Sequence, residues 1–163
     1  MLECFYHKDT KDTKDTKKLC VLCVFVVNQT RFKWNSTLLS EQEEKIGKII
    51  VNAAFNVHKS LGPGLLGKVY EICLAHEIGK SGLLVERQVT VPITYDGLVF
   101  DEGLRLDILV ENLVICEIKA VTELSPVWQA QVMSHLKMMD KRLGYLINFH
   151  VPLIKQGIKR IIL

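Results

Sequence analysis

The 163-residue sequence lacks the motifs that would reveal several common chemistries directly. It contains no glycine-rich phosphate-binding loop, no nucleophile elbow and no complete set of zinc ligands. Its longest apolar run, residues 19–27, has nine residues, about half of the ~20 that an α-helix needs to span a bilayer. We therefore expect no membrane span, and the functional residues must be sought among the polar positions of ordinary helices and strands.

Cysteine is too sparse and too irregular to form a disulfide framework. The count of five is odd, and Cys73 and Cys116 lie in apolar periodic segments, where free cysteine behaves as a small hydrophobe. Cys20 and Cys23 have the spacing of a redox or zinc pair, but no second pair completes a site. This usage predicts a reducing, cytoplasmic compartment.

The composition changes at about residue 40. Residues 1–39 combine a tandem Lys-Asp-Thr repeat with the short apolar run, and a segment of alternating charges and threonine cannot build a core. We predict a disordered extension there and a single domain over residues 40–163. The net charge of +3 permits nucleic-acid binding without arguing for it.

The periodicity of residues 40–163 predicts an α/β domain. A capping box at 40–43 starts a first helix, and Gly62-Pro63-Gly64 stops it. The remaining predicted elements are a helix at about 65–80, strands at 85–95, 104–110 and 113–121, a helix from 125 to about 140, a strand at 142–149 and a short terminal strand at 157–163. This order predicts a mixed sheet of four main strands, antiparallel at first and then continued through a helical crossover.

Three charged residues interrupt two otherwise apolar strands, in the segment RLDILVENLVICEIKAV. Asp107 lies in the first strand; Glu117 and Lys119 lie two apart in the second and so share a face, flanked by Ile115 and Val121. A buried charge is costly unless it is paired or binds a metal, so the pattern is consistent with a carboxylate site for a hard cation. An ordinary Glu-Lys pair on a solvated face is an equal alternative from these strands alone.

The length of the connection between these strands decides whether the carboxylates can meet. A two-residue loop at 111–112 sets Asp107 opposite Cys116 and places Glu117 on the other face. A three-residue loop, or one bulge, sets Asp107 opposite Glu117 with Cβ atoms about 5 Å apart. We predict the second register; side chains on opposite faces would contradict it.

Four further residues are candidates for the same site. Gln131 and His135 lie one turn apart on the third helix and could approach Lys119, although a solvated helix face is the commoner explanation of such a pair. Arg105 could hold a phosphate, or be a surface charge on its strand. Glu71, on the second helix, could reach a metal or remain in solvent.

Several segments resemble the bacterial GxxExxY proteins, a family placed in the PD-(D/E)XK nuclease superfamily with its restriction-endonuclease-like fold. The resemblance covers about residues 42–163 and rests on LGPGLLGKVYEICLAHE, VERQV, YDG, GLRLDILVENLVICEIKAV, QAQVMSHLK and RLGYLINFHVPLIKQGIKR. It departs from the family pattern at Gly67, where the naming motif carries glutamate, and at His135, where a tyrosine is common.

The resemblance implies a magnesium-dependent nuclease. By its motifs, Asp107 and Glu117 bind Mg²⁺, or Mn²⁺ in its place, Lys119 assists catalysis and Gln131 supports the site. Glu71 is a further metal ligand that could partly replace the missing glutamate, while Arg105 and His135 would contact nucleic acid. The expected partner is DNA, with RNA as an alternative, and a homodimer is compatible with the family. A second hypothesis is a module of the same fold that binds nucleic acid or a partner without turnover.

Overall fold

A computed structural model describes residues 39–123 and 125–163, apart from the side chains of residues 101 and 102. The predicted disordered extension, its repeat and the Cys20–Cys23 pair therefore lie outside the described residues. Within the described ranges, no helix is long and apolar enough to cross a membrane.

The first helix, α1 (Glu41–Leu61), begins and ends where its sequence signals lie. The Ser40 hydroxyl accepts a hydrogen bond from the Glu43 backbone N–H at 3.2 Å, and the Glu43 carboxylate accepts from the Ser40 N–H at 2.7 Å. This reciprocal arrangement is the predicted capping box, which satisfies two backbone donors at the helix start. The helix ends at Gly62, whose φ of 66° favours a residue without a side chain.

The second helix, α2 (Gly67–Gly79), is joined to α1 by a short connection that hydrogen bonds from one side chain hold in place. The Tyr70 hydroxyl donates to the Gly62 carbonyl at 2.6 Å and accepts from the Leu65 N–H at 3.1 Å. The Tyr70 ring stacks on Phe149 with centroids 4.5 Å apart. One buried tyrosine thus fixes the α1–α2 turn and anchors α2 against the residue that follows the fourth strand.

Within the described residues, the sheet contains five strands in the order in which they occur along the chain. They are β1 (Val85–Tyr95), β2 (Leu98–Val110), β3 (Val114–Lys119), β4 (Leu143–Asn148) and β5 (Ile158–Ile162), with α3 (Pro126–Met139) between β3 and β4 and the short α4 (Ile154–Gly157) before β5. Among these described strands, only the β3–β4 pair is parallel, and α3 forms its crossover. The mixed α/β fold is confirmed. The short terminal strand predicted at 157–163 is present as β5, whereas β2 begins at Leu98 rather than near residue 104.

Helices cover the sheet on both faces. Along β3, Val114, Cys116 and Ile118 pack in a first core with α1 and α2, whereas Ile115 packs in a second core with α3. This alternation follows from the two-residue period of a strand. The first core also contains Ile46, Ile50, Ala53, Ala54, Val57, Tyr70, Leu74, Ala75, Ile78, Ile108, Val110, Leu143, Tyr145, Ile147, Phe149 and Ile154; the second contains Val91, Leu106, Leu109, Val132, Leu136 and Leu146.

The β2–β3 connection has three residues. Val110 pairs with Val114 and Ile108 pairs with Cys116, so residues 111–113 form the loop. The three-residue connection is confirmed, and one further step in this register sets Asp107 across from Glu117. The paired ladder itself ends at Ile108 and Cys116.

Candidate active site

Asp107 lies on β2, one residue beyond the end of the β2–β3 ladder. One of its carboxylate oxygens, Oδ2, accepts a hydrogen bond from the Ile118 backbone N–H at 2.8 Å. The side chain therefore occupies the place of a strand partner at the point where backbone pairing with β3 stops. This bond fixes the carboxylate beside Glu117 and Lys119, which flank Ile118 on β3.

Glu117 is a carboxylate buried in the sheet, with 3% of its surface exposed. Its Oε1 accepts a hydrogen bond from the Lys119 ammonium at 2.7 Å, as the shared face of residues two apart in a strand allows. Burial raises the pKa of Glu117; the Asp107 charge adds to this rise, and the bond to Lys119 opposes it. Glu117 is buried and Lys119 is half-buried, unlike the solvated surface pair that was the alternative from sequence.

Helix α3 brings Gln131 and His135 to the same carboxylate–ammonium pair. Gln131 Oε1 lies 3.5 Å from Lys119 Nζ, and His135 Nδ1 lies 3.8 Å from Glu117 Oε2. Burial lowers the pKa of His135, so the ring is neutral near pH 7 and the contact with Glu117 is not an ion pair. His135 is 1% exposed, and its ring therefore faces the site interior and not the surface.

The ring of Trp128 completes the surroundings of Lys119. The ammonium lies 5.6 Å from the ring centroid, within the range of a cation–π contact. Trp128 was not among the predicted site residues. Its spacing from Gln131 is three residues, which puts both on one face of α3, so the helical period could have identified it once Gln131 was chosen.

Glu71 reaches this region from α2, on the other side of the sheet. It is 3% exposed, and its carboxylate accepts hydrogen bonds from Arg87 Nε at 3.0 Å and from Gln88 Nε2 at 2.7 Å. The Lys68 ammonium lies 3.4 Å away. The same Gln88 amide lies 3.4 Å from Asp107 Oδ1, so one side chain connects Glu71 to Asp107. Neither Arg87 nor Gln88 was among the predicted site residues, because no local sequence signal reveals the β1–β2 register that places them here.

Two predicted positions stand apart from this cluster. Arg105 lies exposed on β2 across from Thr90, and none of the described hydrogen bonds joins it to the site residues. Gly67 is the first residue of α2, and a Cβ there would lie 4.0 Å from the Ala120 Cβ, just past Lys119. A larger residue at 67 therefore has room, and its side chain would start next to the end of β3.

The donor set fits a small hard cation. Glu117 Oε2 is buried and has no hydrogen-bond partner, a costly condition for a carboxylate oxygen that a cation would relieve. Within residues 39–123 and 125–163, no group of three or more His, Cys, Asp or Glu side chains is arranged to enclose a metal. Magnesium does not need such a group, since it keeps several waters and binds through one or two carboxylates. Asp107 and Glu117 supply two.

The comparison with protein families gives a match at the level of a superfamily. The sequence model of the PD-(D/E)XK nuclease superfamily matches residues 44–161, from early in α1 to near the end of β5. No curated protein and no solved structure is significantly similar to the chain.

Proposed function

The chain belongs to the PD-(D/E)XK nuclease superfamily, and on this basis we propose that it is a magnesium-dependent nuclease that hydrolyses phosphodiester bonds of DNA. The observation that carries the proposal is the buried Glu117, whose one oxygen binds the Lys119 ammonium while the other has no partner, beside the fixed carboxylate of Asp107. A carboxylate pair can bind the metal, and an adjacent ammonium can stabilise the charge that develops on a phosphodiester under attack.

Asp107 and Glu117 would hold Mg²⁺, or Mn²⁺ in its place. When bound, such an ion polarises a phosphoryl oxygen and makes water a better nucleophile at neutral pH. The protein's part is to fix the two carboxylates and to keep bulk water from Glu117. The Ile118 N–H fixes the Asp107 carboxylate through a hydrogen bond. The packing of α3 over β3 keeps bulk water from Glu117.

Lys119 would act on the phosphate itself. Its ammonium is oriented by Glu117 Oε1, by Gln131 Oε1 and by the face of Trp128, and it remains 19% exposed at the side chain. A cation fixed in this way can donate hydrogen bonds to the attacking water and to the negative charge that develops on the phosphoryl oxygens. Gln131 is a positioning residue in this scheme, because it acts through Lys119.

The decisive experiment compares cleavage by wild type and Lys119→Ala on single- and double-stranded DNA and RNA, with Mg²⁺, with Mn²⁺ and with a chelator. We expect metal-dependent cleavage that falls by about 10²-fold or more in the variant, since a fixed donor to developing charge is lost. Lys48→Ala, which removes an exposed lysine of α1, is the matched control and should cut like wild type. Equal metal-dependent cleavage by Lys119→Ala would contradict the assignment.

Gly67 favours a second candidate, a module of the same fold that binds nucleic acid or a protein partner without turnover. This candidate predicts binding but no cleavage in either metal. Gly67→Glu should then create activity, because the space beside Ala120 admits the new side chain. Cleavage by the purified wild type would exclude the second candidate. Gly67→Ala is the control for Gly67→Glu, because it removes the glycine without adding a carboxylate.

A further inference from the structure

Gln88 adopts a backbone conformation that few residues of its type accept. Its φ is 53°, in the left-handed region, although it lies inside strand β1. Such conformations are costly for residues other than glycine, and they persist where the surrounding structure requires them. Gln88 falls between Arg87 and Val89, which pair with Ile108 and Leu106, so its place on β1 is across from Asp107.

The two strands change faces at this point. On β1, Val85 packs with the first core and Val89 with the second, although an even spacing should keep them on one face. On β2 the same change separates Leu106, in the second core, from Ile108, in the first. The irregular conformation of Gln88 therefore coincides with a local reversal of the sheet's faces, which directs side chains of this strand pair toward both helical layers.

The contacts of the Gln88 amide show what this conformation accomplishes. Its Nε2 donates to Glu71 at 2.7 Å and lies 3.4 Å from Asp107 Oδ1. Both neighbours are carboxylates, which only accept, so the NH₂ end of the amide must face them, and its two hydrogens can serve two acceptors. The amide donates toward both carboxylates and so holds two anions near each other. Because the amide itself is uncharged, the negative charge of the carboxylates remains available to a cation.

We propose that Gln88 is a positioning residue, whose side-chain amide ties Glu71 on α2 to Asp107 on β2 and so sets the carboxylates of the site. The inference rests on the proposed function. Without this amide, Glu71 is held by Arg87 and Lys68, and nothing in the described contacts joins it to Asp107. Groups that orient metal-binding side chains typically change metal affinity by 10–100-fold when they are removed.

The test is Gln88→Gly, which removes the amide and relaxes the left-handed backbone at once. Mn²⁺ affinity of the full chain is measured without substrate, from the signal of free Mn²⁺ in electron paramagnetic resonance, together with the melting temperature of the metal-free protein. We expect Mn²⁺ binding at least about 10-fold weaker and a melting temperature that is not lowered. Asp140→Gly is the matched control, because Asp140 has a φ of 51° at the end of α3, where it caps the helix through its backbone; it should retain wild-type Mn²⁺ affinity.

The outcomes separate this inference from the function on which it rests. Mn²⁺ binding that is unchanged or tighter in Gln88→Gly, while Asp107→Ala abolishes it, overturns the role of Gln88 and leaves the metal site standing. A lower melting temperature with unchanged Mn²⁺ affinity identifies Gln88 as a residue of the fold alone and also overturns the inference. Failure of wild type to bind Mn²⁺ removes the metal site, and the inference falls with it.

Discussion

At the scale of the residue, the ionised form of Glu117 has fewer hydrogen-bond donors than a buried carboxylate usually has. Lys119 satisfies one oxygen, but the other faces a neutral imidazole at 3.8 Å and has no donor. Burial raises the pKa of this carboxyl despite the neighbouring ammonium, which means that its ionisation destabilises the metal-free fold. The protein therefore keeps a charge that its folding alone would disfavour, as expected where a functional group is retained at a cost in stability.

Glu117→Gln should consequently raise the melting temperature of the metal-free protein at pH 7–8. A carboxyl whose pKa is higher in the folded than in the unfolded state destabilises the fold as the pH rises from the ordinary pKa of 4.5 through the raised pKa. Glutamine carries no ionisable proton, so the variant avoids this loss of stability. The difference between variant and wild type should shrink toward pH 4, where Glu117 is protonated. Melting curves across this pH range check the prediction, and a lower melting temperature for Glu117→Gln at pH 8 would contradict it.

The residue types and spacing predicted part of the site. The strand period correctly placed Glu117 and Lys119 on one face, and helical spacing placed Gln131 and His135 together. The contacts of Glu71 depend instead on which residues of β1 lie across from β2 and on one residue in a left-handed conformation. Neither is encoded in a short stretch of sequence, so the link through Gln88 could not be found there.

At the scale of the element, helix α3 lies against β4 with almost no space at Gly144. A Cβ at this position would come within 2.8 Å of Val132 and 3.4 Å of Leu136, both on α3. The absence of a side chain at Gly144 lets the helix approach closely enough for Gln131 and His135 to reach β3. The distance of α3 from the sheet is thus set on β4, one strand away from the charged residues.

Gly144→Ala should destabilise the fold by about 1–3 kcal/mol, the usual cost of overpacking a core. It should also weaken cleavage beyond the effect on stability, because α3 must move away from the sheet and take Gln131 with it. Chemical denaturation and cleavage rates below the melting temperature measure the two effects. Gly79→Ala is a suitable control, since a Cβ there meets nothing within 4 Å; loss of activity in both variants would argue against this account.

At the scale of the whole molecule, the sequence was most informative where local rules apply. The cap at Ser40 and the stop at Gly62 were both predicted, because each depends on a few neighbouring residues. The early start of β2 was missed: residues 98–100 are an unbroken apolar run without the alternation of a half-buried strand, and all three are exposed. The hairpin forms there by pairing with β1 and not by burying one face.

The end of this β1–β2 hairpin should affect the behaviour of the molecule in solution more than its stability. Leu98 and Val99 are 63% and 65% exposed, so their joint replacement by serine should change the free energy of unfolding by no more than about 0.5 kcal/mol per site. Exposed apolar patches promote association, so the variant should aggregate less at high concentration. Light scattering and denaturation curves measure these effects, and a large loss of stability would show that the hairpin end is needed by the fold.

The parallel pairing of β3 with β4 also bears on when the protein gains its chemistry. Asp107, Glu117 and Lys119 are all translated before β4, yet β4 supplies the strand that lies beside β3 and the surface that receives α3. A growing chain that has reached only residue 142 would contain every charged group of the site, with no strand to hold β3 on its far side. Contacts between distant segments form late in folding. We therefore expect the proposed nuclease site to become complete only after β4 has left the ribosome.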